Sequence, residues 1–401
     1  MKYVVILGDG MAGYPLSERD NKTCLQLARK PYIDALAKKS TQGLMRTVPT
    51  GFAPGSDVAN LSVLGYDPAL YYTGRSPLEA ASIGIPLKDT DVTLRCNLVT
   101  LSEEEPFEQK TMLDYSAGEI STEEAKELIA ALKKRFDGSR FTLHAGISYR
   151  HCLVEEGGRT GRTLTPPHDI SDRTVSPYLP AGEGSEALLA MMKRSWDVLK
   201  DHPVNQKRRA QGKNPANAVW FWGEGTKPAL PAFEALHQKK GGVISAVDLV
   251  KGIGILAGLQ VIDVAGATGN WDTNFQGKAN ACVDALLEGL DFVYVHMEAP
   301  DECGHHGDAE KKIYSIEQID GVVKTVCERL RAAGEAFSLL ICPDHPTPIA
   351  LKTHTADPVP FLLYRSDEEK EGAARYDEET AAAAGLFLPR ACEMMAAFLR
   401  I

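Results

Sequence analysis

The sequence has little of several features that mark particular classes of protein. Its 401 residues include eight cysteines but no C-x-x-C pair, so nothing in their spacing indicates a disulfide framework. Basic residues are outnumbered, with 44 Lys and Arg against 54 Asp and Glu and a formal net charge of -10. We therefore expect no general binding of nucleic acid or of an anionic membrane, because both need a positively charged surface.

Long hydrophobic runs are also missing. The apolar stretch near the N-terminus, YVVIL at residues 3–7, is far shorter than the core of a signal peptide or a membrane-spanning helix. There is no internal repeat or low-complexity tract, and 44% hydrophobic and 24% charged residues are ordinary for a globular protein. The sequence therefore predicts a soluble cytoplasmic protein in a reducing compartment. It leaves the oligomeric state open.

Strand-like and helical segments alternate at both ends of the chain. The runs KYVVIL, DFVYVHMEA, FSLLIC and PVPFLLY are typical of strands in an α/β core. The middle differs, since strand-like DVTLRCNLVTL is followed by ISTEEAKELIAALKKRF, an amphipathic helix with Ser121 as its N-cap. Because 401 residues exceed one ordinary core, we predict a core domain from 1–75 and 243–401. A separate α+β domain is predicted as an insertion at 76–242.

The loop GDGMAG at residues 8–13 matches the G-x-G-x-x-G pattern of dinucleotide-binding domains. That interpretation needs a helix beginning inside the glycines, yet the following YPLSERDNKT is polar, contains Pro15 and has no apolar stripe. It also needs an acidic residue about twenty positions further on, near the end of the second strand. Asp34 lies instead in the predicted helix PYIDALAKK. We therefore interpret Asp9 as the functional residue, with small neighbours that leave space around its carboxylate.

Histidines are concentrated near the C-terminal end, where five of the ten lie between positions 296 and 354. Two predicted strands run directly into groups of Asp and His: DFVYVHMEA into PDECGHHGD, and FSLLIC into PDHPTP. In open α/β sheets, ligands bind outside the carboxyl ends of the strands, where Asp9 is also expected. Asp301 and His305 are four residues apart, so a helical turn would place both on one face. Mixed carboxylate and imidazole ligands suit manganese, zinc or iron, and two adjacent sites of this kind can hold a phosphoryl group.

Ser56 opens a predicted helix in the segment TGFAPGSDVANLSVLG. A serine in this position is most often a helix N-cap. Backbone N–H groups at a helix N-terminus also favour a phosphate there, so the alternative is a nucleophile activated by metal coordination. The Asp and His loops elsewhere in the chain favour the second interpretation.

Together these motifs resemble the cofactor-independent phosphoglycerate mutases, and most closely the shorter archaeal-type branch of that family, within the alkaline phosphatase superfamily. The motifs are LGDG, PGSDVANLSVLGYDP, EAPDECGHHGD, PDHPTP and THTADPVPF, and the resemblance extends over nearly the whole chain through YYTGRSPLEAASIGI and ISAVDLVKGIGILAGL. It implies an α/β fold with an alkaline-phosphatase-like, mostly parallel sheet flanked by helices. It also implies that the inserted α+β domain closes over the substrate.

The resemblance further implies two divalent metal ions, commonly manganese, with magnesium, cobalt or zinc as variants, and no bisphosphoglycerate. The implied metal ligands form two sets. One set is Asp301, His305 and His354. The other set is Asp9, Ser56, Asp344 and His345. Ser56 would accept the phosphoryl group of 3-phosphoglycerate, and the bound glycerate would take it back on its 2-hydroxyl. Water must be excluded, because hydrolysis of the phosphoserine would make the protein a phosphatase.

The residues that would bind the small phosphorylated substrate carry over less directly. His168 and Asp169 in TPPHDISDR would move protons for the glycerate hydroxyls. Arg150, Arg173 and Lys278 would hold the carboxylate and phosphate. Each of these residues is as easily explained as an ordinary solvated charge. Where the long bacterial branch has an arginine-rich segment, this chain has VWFWGEGTKP.

Other functions stay open from the sequence. A homoserine kinase of the same fold would need ATP, and the chain has no G-x-x-x-x-G-K-[ST] motif, although a fold that binds phosphates through metals does not require one. In a metal-dependent phosphatase or phosphonate hydrolase, water would resolve the phosphoserine. A non-catalytic metal-binding or scaffold protein is disfavoured by the complete set of ligands and nucleophile. The mutase is the function we favour.

Overall fold

The computed structural model describes residues 1–136, 138 and 140–400. The chain folds into two compact units. The first unit consists of Met1–Tyr72 and Leu230–Ile401, and the second unit is Thr73–Ala229. The second unit occupies nearly the same part of the chain as the domain predicted at 76–242.

The strands, in chain order, are β1 Lys2–Gly8, β2 Thr41–Met45, β3 Val92–Leu101, β4 Met112–Asp114, β5 Phe141–His144, β6 Arg150–Glu155, β7 Ala218–Thr226, β8 Gly241–Ile244, β9 Gln260–Val261, β10 Phe292–Met297, β11 Phe337–Cys342, β12 Val359–Arg365 and β13 Phe387–Leu388. The α-helices are α1 Cys24–Leu27, α2 Pro31–Ala37, α3 Ser56–Val63, α4 Pro68–Tyr71, α5 Ser76–Ser82, α6 Thr122–Phe136, α7 Ser185–Leu199, α8 Pro203–Ala210, α9 Phe233–His237, α10 Asp248–Leu256, α11 Phe275–Leu287, α12 Ala299–His306, α13 Ala309–Ala332, α14 Glu378–Ala383 and α15 Met394–Leu399.

The first unit is built on a sheet with the strand order β13-β2-β12-β11-β1-β10-β8-β9. The five neighbouring strands β11, β1, β10, β8 and β9 are parallel to one another, whereas β12 is antiparallel to both of its neighbours, β11 and β2. The central strands are mostly apolar and almost entirely buried, as expected for parallel strands covered on both faces. Apolar residues of α2, α11 and α13 share one core with these strands. The predicted α/β class, with a mostly parallel sheet flanked by helices, is confirmed.

The second unit contains an antiparallel sheet in the order β4-β3-β6-β5, with β7 also paired to β3. The apolar faces of α6 and α7 lie in the core of this unit. The predicted N-cap at Ser121 is present, because the backbone N–H of Glu124 donates to Ser121 Oγ at 3.2 Å. In the described part of the chain, no helix is both long enough and apolar enough to cross a bilayer.

Candidate active site

Three neighbouring parallel strands of the first unit end next to acidic residues. Asp9 follows β1 directly, Asp344 follows β11 after one intervening residue, and Asp301 lies in α12, which begins two residues after β10. The carboxyl ends of parallel strands meet at one edge of a sheet, so residues far apart in the chain become neighbours there. All three carboxylates are buried. The strand ends therefore create a compact acidic site.

Asp9, Asp344 and His345 form one group whose candidate ligand atoms all lie within 4.8 Å of one another. His345 Nε2 is 3.3 Å from Asp344 Oδ2 and 3.7 Å from Asp9 Oδ1. The backbone N–H of Gly10 donates to Asp344 Oδ1 at 3.1 Å and holds that carboxylate in place. This group contains three of the four ligands that the resemblance assigns to one metal ion.

Asp301, His345 and His354 form a second group that satisfies the same 4.8 Å criterion. His305 adjoins this group, because its Nε2 is 3.2 Å from Asp301 Oδ2 and 2.8 Å from His354 Nε2. The helical spacing expected for Asp301 and His305 is present in α12. His345 belongs to both groups, so the geometry alone does not divide the ligands between two ions as the resemblance does.

The charges of the site are unbalanced without a cation. Burial, together with the charges of Asp344, Asp301 and Glu298, raises the pKa of Asp9 well above its usual value. Asp9 Oδ1 is buried and has no hydrogen-bond partner among the residues that the structure describes. An unpaired buried carboxylate oxygen of this kind is costly unless a cation binds it. These observations fit a divalent metal site.

Protonated imidazoles supply positive charge to the acidic site when no cation is bound. Burial alone would raise the pKa of Asp301, but hydrogen bonds from His305 and His354 lower it well below the usual value. The hydrogen bond to Asp301 raises the pKa of His305 to about 9. Metal binding requires neutral imidazoles and releases such protons. We therefore expect metal binding to compete with protonation at His305.

Two of the imidazoles are anchored through the ring nitrogen remote from the carboxylates. His305 Nδ1–H donates to the carbonyl of Lys352 at 3.0 Å. The hydroxyl of Thr347 donates to Asp301 Oδ1, so its oxygen is left to accept from His345 Nδ1–H at 3.3 Å. Both rings, when neutral, then present the lone pair of Nε2 to the carboxylates. Histidine ligands of metals are typically held by such a second hydrogen bond.

Ser56 is the first residue of α3, and it is half-buried. Gly55 occupies the N-cap position and provides no side-chain cap, and in the first turn Asp57 Oδ1 accepts the backbone N–H of Val58 at 2.9 Å. Ser56 Oγ lies instead 3.2 Å from Nε2 of His345, the residue common to both candidate ligand groups. The N-cap interpretation of Ser56 is therefore wrong, and its hydroxyl lies beside the candidate metal ligands.

The loop after β1 needs a glycine at position 10. Its φ is +62°, and a Cβ atom there would lie 2.6 Å from both Asp301 Oδ1 and Thr347 Oγ1. A side chain at this position would therefore collide with the candidate ligand and its hydrogen-bond partner. After β1 the chain makes a short 3₁₀ turn at Ser17–Arg19, and the first α-helix begins at Cys24. The loop thus lacks the helix that a dinucleotide-binding interpretation requires.

Lys278 lies in α11 and is fully buried. Its Nζ donates to the backbone carbonyl of His296 at 3.0 Å. Burial lowers the pKa of Lys278 to about 8, against the opposing charge of Glu298. Lys278 is thus hydrogen-bonded to β10, the strand that precedes the candidate ligands of α12. Its contact with substrate stays a prediction.

The other predicted substrate residues belong to the second unit and are exposed. Arg150 begins β6, with its guanidinium 5.3 Å from the centre of the Tyr149 ring. Arg173 Nη1 donates to the hydroxyl of Tyr178 at 3.3 Å. The structure therefore leaves both guanidinium groups on the surface of their unit, and their roles stay predictions.

His168 and Asp169 lie in a 3₁₀ turn, with His168 Nε2 3.7 Å from Asp169 Oδ1. Their side chains are 47% and 61% exposed, so solvent reaches both. Burial lowers the pKa of His168, and Arg95 and Arg75 add to this effect while Asp169 opposes it. A neutral imidazole near pH 7 suits a group that accepts and returns a proton.

Comparison with known proteins identifies the family. Residues 37–205 match the family described as 2,3-bisphosphoglycerate-independent phosphoglycerate mutase. A protein of Methanosarcina acetivorans with that name is 48% identical over 404 residues, which cover 100% of both chains. The chain belongs to this mutase family. The resemblance described above is thus confirmed.

Solved structures agree with this membership. The cofactor-independent phosphoglycerate mutase from Thermoplasma acidophilum has a TM-score of 0.66 and 25% identity, with 100% of this chain and 99% of that chain covered. A protein of Pyrococcus horikoshii has a TM-score of 0.82 and 28% identity, with 100% and 97% covered. These similarities span both units of the chain.

Sequence reasoning missed residues that position the site of this family member. Asn60, one helical turn after Ser56, donates from Nδ2 to the Ser56 carbonyl at 2.8 Å and to Asp344 Oδ2 at 3.1 Å. The hydroxyl of Tyr294 donates to Asn60 Oδ1 at 2.7 Å. Lys312, also buried, donates from Nζ to the carbonyls of Ala12 and Thr347. The four-residue spacing of Asn60 from Ser56 could have indicated its positioning role from the sequence. Nothing in the sequence around Lys312 indicated its role.

The second unit holds an arginine cluster that sequence reasoning also missed. The carboxylate of Glu79 lies between two guanidinium groups, with Arg75 Nε and Arg95 Nε each 2.9 Å from one of its oxygens. The Arg95 guanidinium lies 4.1 Å from the centre of the Trp222 ring, and the His168 ring is 5.3 Å from the same ring. This cluster explains the positive charges near His168.

Proposed function

We propose that the protein interconverts 3-phosphoglycerate and 2-phosphoglycerate through a phosphoserine on Ser56, with two divalent metal ions and without bisphosphoglycerate. We propose manganese as the first ion to test. The observation that carries the proposal is the position of Ser56 Oγ, 3.2 Å from Nε2 of His345, the residue common to both candidate ligand groups. The names of the relatives supply the substrate, and a cytoplasmic location is part of the proposal.

The residues proposed to hold the metal ions all belong to the first unit. They are Asp9, Ser56, Asp301, His305, Asp344, His345 and His354. Bound divalent cations neutralise phosphoryl oxygens and lower the pKa of a coordinated hydroxyl. The residues of the chain provide positioning, which phosphoryl transfer needs more than covalent chemistry.

Ser56 is the proposed phosphoryl acceptor because its position suits an anion. It begins α3, and the N-terminus of a helix favours a phosphate there. Asn60 holds the Ser56 carbonyl and the Asp344 carboxylate together. The backbone of the serine and one candidate ligand carboxylate are therefore joined through a single side chain.

The residues of the second unit are proposed to handle the glycerate part of the substrate. In the forward reaction His168, beside Asp169, would pass a proton to the departing 3-oxygen as Ser56 loses its own. It would then take the proton of the 2-hydroxyl as the departing serine oxygen regains one. Arg150 and Arg173 would bind the carboxylate and phosphate through charge-assisted hydrogen bonds. Exposed side chains with few protein partners are suited to this, because a substrate can replace water around them.

One assay tests the proposed reaction. The purified full chain is treated with chelator, loaded with Mn²⁺ and given 3-phosphoglycerate without bisphosphoglycerate, and 2-phosphoglycerate is followed through enolase. We expect conversion that stops on chelation and returns with Mn²⁺. ATP consumption that depends on homoserine, without conversion, would overturn the mutase proposal in favour of a kinase. Release of free phosphate as the main product would favour a phosphatase.

A further inference from the structure

His296 is the buried member of the histidine cluster that the proposed reaction does not use. It lies on β10, between β1 and β8, and its side chain is fully buried. Its Nε2 is 2.9 Å from Asp9 Oδ2, and its Nδ1 is 3.2 Å from Ser245 Oγ. Ser245 follows β8 as Asp9 follows β1, so the three side chains form a row across neighbouring strand ends.

The hydrogen-bond partners of Ser245 determine which nitrogen of His296 carries the proton. Ser245 Oγ already accepts the backbone N–H of Val247 at 3.0 Å. Its own proton can reach His296 Nδ1 at 3.2 Å or the Val247 carbonyl at 3.5 Å, and the second distance is too long for a normal O–H donor. An imidazole nitrogen that accepts leaves the proton on the other nitrogen. His296 thus donates Nε2–H to Asp9 Oδ2.

This arrangement is the reverse of that at the candidate ligands. When neutral, His305 and His345 direct Nδ1–H away from the carboxylates and the Nε2 lone pair toward them. His296 directs a donor toward Asp9. The bond occupies Oδ2 of Asp9, whereas Oδ1 is buried without a hydrogen-bond partner, 3.7 Å from His345 Nε2.

We propose that Ser245 and His296 form a positioning relay for Asp9. Ser245 selects the tautomer of His296, and His296 holds Oδ2 so that Oδ1 alone is presented to a divalent cation. The relay deepens the proposed function, because it rests on the metal site proposed there. Loss of a hydrogen-bond partner behind a metal ligand typically weakens metal binding by about 10- to 100-fold.

Metal affinity tests the relay directly. Mn²⁺ is titrated into the chelator-treated full chain, and the free ion is measured by electron paramagnetic resonance. We expect His296→Leu to weaken binding by about 10- to 100-fold. His296→Gln keeps an N–H donor and should restore most of the affinity, and Ser245→Ala should weaken binding less than His296→Leu. His306→Leu is the control, because this imidazole is exposed and hydrogen-bonds to the Glu302 carbonyl of its own helix.

A metal-free measurement separates the relay from the proposed metal site. Long-range ¹H–¹⁵N correlation spectra of protein labelled at histidine report the tautomer of His296, assigned from the signal lost in His296→Gln. We expect the Nε2–H tautomer in the wild type and loss of this preference in Ser245→Ala. An Nδ1–H tautomer, or Mn²⁺ affinity unchanged in His296→Leu, would overturn the relay. A wild-type chain that shows the Nε2–H tautomer but binds no Mn²⁺ would overturn the metal site and leave the relay's hydrogen bonds standing.

Discussion

The candidate metal ligands and the candidate substrate residues are held in opposite ways. In the first unit, Asp9, Asp344 and His345 are buried, and neighbouring side chains or backbone groups fix each of them. In the second unit, Arg150 and His168 have large exposed surfaces and few partners. A metal ion needs ligands at short, constant distances. A flexible substrate, by contrast, can be bound by side chains that water solvates in the free protein. Each unit therefore suits a different part of the reaction.

This difference has an energetic consequence. The first unit brings buried carboxylates together, which raises the pKa of Asp9 and leaves its Oδ1 without a hydrogen-bond partner. Such a site destabilises the ion-free fold while it favours cation binding. The exposed residues of the second unit carry no comparable cost, because water screens them. Mutations in the two units should therefore separate effects on metal binding from effects on substrate binding.

The largest expected effect is that of Ser56→Ala. Loss of the nucleophile should lower the rate of 3-phosphoglycerate conversion by roughly a thousandfold or more. The Mn²⁺-induced rise in Tm should persist, because the other candidate ligands remain. The enolase-coupled assay and thermal unfolding with and without Mn²⁺ measure the two effects. Ser62→Ala, at a buried serine of the same helix, is the matched control. Normal turnover in Ser56→Ala would rule out the phosphoserine.

Asp9→Asn tests the cost of the acidic site. Removing one buried negative charge should raise Tm in chelator by about 2–4 °C, the shift that corresponds to ~1 kcal/mol in a domain of this size. The same change should weaken Mn²⁺ binding at least tenfold and reduce the Mn²⁺-induced rise in Tm. Asp284→Asn, at an exposed carboxylate of the first unit, is the control. A lower Tm in chelator would contradict the electrostatic argument.

Arg150→Ala tests the second unit. If Arg150 binds the substrate, its removal should raise KM for 3-phosphoglycerate about tenfold, the lower end for a hydrogen bond to a charged group. The Mn²⁺-induced rise in Tm should not change. Arg159→Ala is the control, because this arginine is 86% exposed and its ion pair with Glu183 is long, at 3.7 Å. An altered metal response with an unchanged KM would contradict the division of roles between the units.

Lys278→Met sharpens the comparison between the two units. Lys278 is predicted to bind substrate, yet it is fully buried in the first unit. Loss of its hydrogen bond leaves the His296 carbonyl without this donor, so the free energy of unfolding should fall by about 1–3 kcal/mol. KM should stay near the wild-type value. Urea unfolding and steady-state kinetics measure these quantities, with exposed Lys324→Met as control. A raised KM at unchanged stability would support the substrate contact predicted from the sequence.

The last prediction concerns His151, a buried residue of the second unit. Burial lowers its pKa to about 3 in the folded chain, below the usual 6.5. The unfolded chain therefore binds the proton more readily, so the stability contribution is complete above pH 6.5 and declines toward pH 3. The decline is about 1.4 kcal/mol per pH unit within that window.

His151→Leu should remove this slope between pH 6.5 and 5. Urea unfolding followed by tryptophan fluorescence reports mainly on the second unit, because Trp196, Trp220 and Trp222 lie there and only Trp271 lies in the first unit. The exposed His306, changed to Leu, should leave the slope as it is. An equal slope in wild type and His151→Leu would show that His151 does not titrate in this way.

Much of the candidate site was predictable because its signals are local in the chain. Asp9 and Asp344 each stand just beyond an apolar strand, and Asp301 and His305 have helical spacing. A buried parallel strand is visible as an apolar run, and the residues after it lie at the functional edge of the sheet. The α/β class and the family followed from the same motifs. The failure of the dinucleotide interpretation was also visible, in the polar residues after Gly13.

What the sequence could not show is how these residues hold one another. Tyr294 and Asn60 are 234 residues apart, and Lys312 and Ala12 are 300 apart, yet each pair is joined by a hydrogen bond. The tautomer of His296 likewise depends on Ser245, which follows another strand, and the membership of His345 in both ligand groups depends on Asp9, Asp301 and His354. The chain by itself determined which side chains reach the edge of the sheet, because strand and helix periods act over a few residues. Only the tertiary structure decided which atom of each side chain points toward the site, because hydrogen bonds between distant segments set that direction.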